Sequence, residues 1–473
     1  MKGRLFFLKD MWSSRLSLIG VTLTTVAAVL ILLSLLLDLF GGGGASSYRG
    51  LIAYALMPAV FVIGLILIPI GVWRVRRRGG AAAPLIIDLG RKETRRRLAF
   101  ILVLTAFNSV ILSFALYQGY HYTDSNQFCG LLCHTVMKPE YSAYRRSPHA
   151  RVACVQCHIG VGASWYIRSK LSGLRQVWAV LTKTYHRPIP TPVENLRPAR
   201  ETCEECHWPQ VFHGNQIRTW RRPADDPAST DNLVTALNLH IGGLNSRTGR
   251  YEGIHWHVSA SLRVEYLAGD AGRLQIRRVR VTDEKGETQD FIRPDLPEPP
   301  AGSAWRTMDC VDCHNRPTHR FEDPQAALDE SLLAGRIDRA LPNIRAVALE
   351  ALAADYPSAE AAQAGIAARL DDTYRQTGQD MPKSRAAALS GAGREIAAIW
   401  ERNVFPEMMI GFGTYPVHIG HRDERYGCFR CHDESHAASS GKTISQDCGL
   451  CHELLAQEES EKSLSSEIRA LLR

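Results

Sequence analysis

Twelve cysteines occur in the 473 residues, and each belongs to a pair whose second member is followed at once by histidine. Five pairs read C-x-x-C-H: Cys154 and Cys157 before His158, Cys203 and Cys206 before His207, Cys310 and Cys313 before His314, Cys428 and Cys431 before His432, and Cys448 and Cys451 before His452. That is the attachment pattern of c-type haem. Two thiols must reach the two vinyl groups of one porphyrin while the next residue turns an imidazole toward the iron. The remaining pair, Cys129 and Cys133 before His134, carries one extra residue. It reads as a sixth covalent haem, with a single bond from Cys133 as the alternative. A disulfide framework gives no reason for histidine after every second cysteine. Zinc sites can use C-x-x-C, but they do not lock a histidine to the position that follows.

Each iron needs, or deliberately lacks, a ligand on its second face. Seventeen histidines, six of them in the motifs, leave His121, His149, His186, His213, His240, His255, His257, His319, His418, His421 and His436. Met137 follows His134 by three residues. It is a candidate thioether ligand of the first haem, and a thioether in place of imidazole raises a haem's potential. The last two motifs have His418, His421 and His436 nearby, so three local histidines serve two local irons and one is free for an earlier haem.

The elements that must position these sites begin with three apolar runs, expected to span a membrane at about residues 16–40, 51–73 and 98–120. Each is long enough to cross a hydrocarbon core of about 30 Å as a helix. A cleaved signal peptide is the alternative for the first, but no small-residue cleavage site follows it. Lys2, Arg4, Lys9 and Arg15 precede the first run, and the loop between the second and third is rich in arginine, with Arg74, Arg76, Arg77, Arg78, Arg95, Arg96 and Arg97. The excess of basic residues marks those segments as cytoplasmic. The cysteine motifs then fall on the opposite side, where c-type haem is attached. Much of the formal charge of +8 therefore reports topology, and no nucleic-acid partner is implied.

The expected class is mainly α: three N-terminal transmembrane helices, then a loop-rich, haem-packed multihaem domain with a small antiparallel β insert and a helical insert. The boundaries are 1–120 for the membrane domain, 121–215 for haems 1–3, 216–300 for the β insert, 301–323 for haem 4, 324–404 for a helical spacer, 405–456 for haems 5 and 6, and 457–473 for a charged tail read as a solvated helix. Alternation in Leu262–Tyr266 and Leu274–Val281, with a turn at Asp283–Gly286, argues for the β insert. Within it His255 and His257 flank Trp256 at strand spacing, which would put both on one face. One of them reaches a haem, or both are solvated or core histidines. The alanine-rich spacer reads as two to four helices divided by Pro342, Pro357 and Pro382.

The run CHTVMKPEYSAYRRSPHARVACVQCHIGVGASWYIRSKLSGLRQ resembles the NapC/NirT family of membrane-anchored multihaem quinol dehydrogenases. CEECHWPQVFHG, CVDCHNRPTH and NVFPEMMIGFGTYPVHIGHRDERYGCFRCHDESH are similar to its longer members, among them inner-membrane cytochromes of extracellular respiration. The resemblance covers the haem segments 121–215 and 305–455. It implies a quinol pocket beside the haem nearest the membrane, with Met137 as that haem's methionine ligand and Lys170 lining the pocket. It also implies that His149 ligates the fourth haem and His319 the third. The chain departs from the family's small members in having three runs where they have one span. Where they place a carboxylate a turn or two after the lysine, it offers Arg175, Gln176 and Val177. Glu140 is the substitute proton acceptor, with Gln176 beside it.

Three functions compete on these residues. The first is a quinol dehydrogenase of the bacterial inner membrane, taking electrons from menaquinol or ubiquinol through six covalent haems to a periplasmic cytochrome or reductase, as in anaerobic respiration. The second is a non-catalytic anchor and electron wire in a larger respiratory complex. The third is a terminal reductase, which needs a haem with an open face.

Overall fold

The computed structural model describes residues 13–40, 51–78, 90–160, 162–193, 196–208, 214–224, 226, 229, 231–245, 249, 251–376, 383–421 and 425–471. They are mainly helical and form two compact units, Met1–His134 with Ala153–Val155, and Thr135–Val152 with Gln156–Arg473.

The first unit is built on helices α1 (Arg15–Phe40), α2 (Met57–Arg78) and α3 (Lys92–Thr123), with a π-helical turn at Ile52–Leu56 leading into α2. Small residues let α1 and α2 come together, as they do where helices pack in lipid. A Cβ on Gly20 would lie 2.7 Å from the carbonyl oxygen of Gly64. Ser17 Oγ donates to the carbonyl of Ile68 across the same contact at 2.9 Å. Ile31, Ile111 and Ala115 form the buried centre, while leucines such as Leu33 and Leu36 face outward. Two described helices, Arg15–Leu37 and Ile52–Arg78, are long and apolar enough to cross a membrane. Among the described residues two candidate spans are found where three are expected. The third run lies inside the 32-residue α3, which opens on the charged turns Lys92–Arg97, and several side chains between residues 93 and 105 fall outside the described set. The apolar helices fit membrane anchoring.

The second unit begins with α4 (His134–Arg145), α5 (Cys154–His158), α6 (Ala163–Thr182) and α7 (Ala199–Cys203). The β insert then contributes to three small antiparallel sheets. Strands β1 (Gln216–Pro223) and β2 (Asn232–Leu239) pair as a hairpin, and a short pair follows, β3 (Gly243–Leu244) with β4 (Tyr251–Glu252). Strands β5 (Arg263–Ala268), β6 (Ile276–Thr282), β7 (Thr288–Ile292) and β8 (Arg306–Thr307) form a sheet in the order β7-β6-β5-β8. The turn between β6 and β7 is Asp283–Gly286, where Asp283 Oδ1 accepts from the amides of Lys285 and Glu287 and Gly286 takes φ +82°. Only glycine adopts that backbone without a Cβ penalty.

After α8 (Cys310–Cys313), the spacer is four helices: α9 (Pro324–Leu333), α10 (Ile344–Ala353), α11 (Ala359–Gln376) and α12 (Lys383–Glu401). Their apolar stripes meet in one core that includes Leu328, Ile337, Ile366, Leu370, Ile396 and Trp400. The tail differs from the solvated helix expected of it. His452–Ser460 is strand β9, antiparallel to β2, and only Ser466–Leu471 is helical, as α13. Pairing holds the strand: Ala456 turns inward onto Val234 and Ala236, while Glu458, and Glu461 just beyond the strand, meet Arg222 and Arg221 of β1 at 2.9 and 3.3 Å.

Candidate haem sites

A C-x-x-C-H motif needs a turn tight enough to present both thiols and the histidine to one plane. Cys154–His158 and Cys310–Cys313 are single helical turns, and Gly427–Arg430 and Cys448–Leu450 are 3₁₀ turns. The extra residue of the first motif is absorbed by a π-helical turn at Phe128–Leu132, whose wider ring takes up one residue. Three of the motif turns are tied to their surroundings. Asp309 and Asp312 form a reciprocal capping box on α8, and Asp312 also accepts from Tyr266 at 2.6 Å and Arg306 at 3.2 Å. The amide of Cys154 is held by Asn126 Oδ1 at 2.9 Å. Arg430, inside the fifth motif, donates to the carbonyls of Gly427, Arg273 and Asp312, which ties that motif to the fourth.

None of the twelve cysteines is paired in a disulfide. Thiols of different motifs meet. Cys129 hydrogen-bonds Cys154 and pulls its pKa down to about 7, and Cys310 does the same to Cys203, lowering it. Burial pushes Cys313 up to about 11, with a smaller push from Cys428. Burial raises Cys451 as well, again with Cys428 adding to it. The attachment sites therefore run side by side, the first with the second, and the third through the sixth in series.

Among the described residues, the candidates for second-face ligands are the rings that confront the motif histidines. Five pairs occur, each with one motif histidine: His158 with His319 at 6.0 Å between ring centres, His207 with His149 at 5.9 Å, His314 with His255 at 6.5 Å, His432 with His257 at 5.8 Å, and His452 with His421 at 5.8 Å. Two imidazoles on opposite faces of one iron, each with a metal–nitrogen bond of about 2 Å, place their ring centres roughly 6 Å apart. The separations fit a metal held between each pair. In His319, His255, His257 and His432 the Nδ1 atom lies 2.7–3.1 Å from a backbone carbonyl, of Glu140, Ile241, Ile254 and Ser445 respectively. A carbonyl only accepts, so Nδ1 carries the proton and Nε2 is left with a lone pair for iron. Burial lowers His319, His255 and His257 and pushes His158 down to about 4, aided by His319 opposite. Iron requires the neutral form. Among the described residues no group of three or more His, Cys, Asp or Glu side chains converges on one point. A metal in a porphyrin needs only two protein ligands, and the pairs supply two.

Several sequence expectations are redirected. His149 faces the third motif rather than the fourth, and His319 the second rather than the third. His255 and His257 do not lie on a strand; they sit on a 3₁₀ turn, Ile254–Val258. At about three residues per turn, positions i and i+2 diverge, so the two rings turn to different motifs. His436 is fully buried with both nitrogens engaged, Nδ1 with the Asp433 carboxylate at 3.0 Å and Nε2 with the Ile276 carbonyl at 2.8 Å, which leaves none for iron. His418 is buried with Nδ1 lacking a hydrogen-bond partner, and among the described rings it faces no motif histidine, because each of the five is already met by another ring. His213 and the side chain of His134 lie outside the described residues, and Met137 is half-buried on α4.

The quinol residues do not come together. Lys170 sits on α6 with Nζ 4.7 Å above the Tyr166 ring. Gln176, on the same helix, is exposed with Nε2 3.3 Å from Ser172 Oγ. At about 100° per residue it points roughly 120° away from Lys170. Glu140 is not available as a proton acceptor, because both carboxylate oxygens accept from buried Arg316 at 2.9–3.0 Å and one lies 3.2 Å from His319 Nδ1. Arg316 was not singled out by sequence, and nothing in its local pattern marks it.

The family described as "NapC/NirT cytochrome c family, N-terminal region" matches residues 91–192. The chain is 43% identical over 451 residues, 93% of its length and 88% of the relative's, to the cytochrome c-type protein ImcH of Geobacter sulfurreducens. No solved structure matches.

Proposed function

The chain belongs to the NapC/NirT cytochrome c family, and from that premise we propose that it oxidises menaquinol or ubiquinol and delivers the electrons through six covalent haems to a periplasmic cytochrome or reductase. A bound c-type haem takes up and returns one electron at a time. The observation that carries the reading is the set of five facing imidazole pairs, each with one motif histidine. Ligands on both faces suit a relay and leave no open position at those five sites for an oxyanion, which argues against a terminal reductase. His134 and Met137 are the ligands proposed for the first site.

A quinol must lose two protons as well as two electrons, so a side chain at its hydroxyl has to hold or accept a proton. Lys170 is the residue proposed for that contact. With the apolar run 98–120 of α3 taken as a third crossing, the basic residues before α1 and between α2 and α3 support a cytoplasmic location for those segments and an outside location for the haem-binding unit. A second reading, a non-catalytic anchor and wire within a larger complex, is favoured by one observation: Glu140 and Gln176 do not join Lys170.

Stopped-flow absorbance separates the two. Oxidised, haem-loaded protein is mixed with menaquinol, wild type beside Lys170→Ala. Quinol oxidation predicts fast haem reduction in the wild type, slowed by about 10²-fold or more in the variant with its haem content unchanged. Equal, slow reduction in both sinks that reading and moves the quinone chemistry to a partner subunit.

A further inference from the structure

Helix α6 carries Ile167, Leu171, Leu174, Trp178 and Leu181 at alternating spacings of four and three, which is one face of a helix. In a soluble domain such a stripe is the part that enters the core. Here it faces out: the five side chains are between 59% (Ile167) and 73% (Leu181) exposed, and none belongs to a core cluster. The other side of the helix is what attaches it to the protein, through Val180, which packs on the cluster of Val136, Phe405, Met408 and Tyr415. Isolated apolar residues at a surface need no explanation, but a contiguous stripe of this size marks an interaction surface.

The charges say what kind. From Ala163 to Lys183 the chain has no Asp or Glu and carries Arg168, Lys170, Arg175 and Lys183. Lys170 stands about 40° from Leu174 around the helix axis, at the edge of the stripe. Trp165 and Trp178 add two indoles, the side chains that gather at membrane–water boundaries. An apolar face bordered only by cations suits a surface of acyl chains beneath anionic headgroups. A protein groove would more commonly offer acids to be matched. The same chain carries two apolar helices fit to cross a membrane, so a bilayer is at hand.

We propose that α6 lies in the membrane–water interface, its Ile167–Leu181 stripe among the acyl chains, and that this presents Lys170 at the lipid surface where quinol is dissolved. The proposal deepens the quinol reading but is tested without it, because the readout is lipid contact and not turnover.

The test uses the haem-loaded full chain in vesicles of phosphatidylethanolamine and phosphatidylglycerol, doped with a phospholipid bearing a photoactivatable diazirine in its acyl chain. After illumination, lipid adducts are mapped on proteolytic peptides. Adducts on Leu171–Trp178 as well as on α1 and α2 are expected. A Leu171→Glu, Leu174→Glu double variant, altered only at exposed positions, should lose the α6 adduct by about tenfold or more while α1 and α2 stay labelled and haem absorbance is unchanged. Labelled α1 and α2 with unlabelled α6 in the wild type would overturn the proposal. So would an α6 adduct that persists undiminished in the double variant.

Discussion

Replacing Glu140 by glutamine tests how the protein sets the potential of its second haem site. Glu140 touches His319 through its backbone carbonyl and its carboxylate, at 3.1 and 3.2 Å from Nδ1, and His319 faces His158 of the second motif. Among the described residues, His255, His257 and His432 of the other facing pairs lean on carbonyls through Nδ1. An anion behind a ligating imidazole makes the ring a stronger donor and favours the oxidised metal. Arg316, with its guanidinium 4.1 Å above the Tyr415 ring, holds the carboxylate in place. Glu140→Gln keeps the shape and removes the charge. That charge lies about 7 Å from an iron bound at His319 Nε2, and at an effective dielectric of about 20 it is worth about 2 kcal/mol. For one electron this corresponds to an upward shift of about 100 mV. Spectroelectrochemical titration with parallel electron paramagnetic resonance reads both the shift and the low-spin signal that moves. The moving signal should be the one that turns high-spin in His319→Ala. A shift below about 20 mV, a downward shift, or movement of a different haem would refute the electrostatic argument.

Two further outcomes follow from the same geometry. His255→Ala and His257→Ala should each convert one low-spin haem to high-spin, at the fourth and fifth motifs respectively, and the double variant should convert two; a variant that leaves every haem low-spin removes that histidine from the ligand set. Glu322 accepts from Arg402 Nε at 2.6 Å and Asn403 Nδ2 at 2.8 Å. Burial works to raise its pKa, but the bonds from Asn403 and Arg402 outweigh it and the net shift is downward. A lowered carboxyl stabilises the fold fully above its unfolded value, near 4.3, and loses that contribution as pH falls through its folded value. Glu322→Gln should therefore cost about 1–2 kcal/mol at pH 7, and thermal melts of the two proteins should converge as pH falls below about 4. A gap that is constant with pH would show that the charge is immaterial.

The covalent chemistry was legible in the chain because it is local. A thiol pair and the following histidine need only one turn of backbone, so the six cysteine–histidine motifs, the extra residue of the first, and the apolar helices are written in contiguous residues. The four spacer helices and the Asp283–Gly286 turn were legible for the same reason: helical periodicity, proline breaks and turn chemistry act over a few residues. The tail was misread because the partner that makes Gln457–Ser460 a strand is β2, more than two hundred residues earlier.

What sequence alone determined is the number and identity of the motif histidines, the class of cofactor and the membrane-anchored family. What only the tertiary structure decided is which ring faces each of five motif histidines. Eleven candidates were near-equivalent in sequence, yet His319 meets His158 across 161 positions and His257 meets His432 across 175, while His436 spends both nitrogens on Asp433 and Ile276. A metal takes its second ligand from whatever ring the packed chain brings to within bonding distance, and that depends on every turn between the two residues.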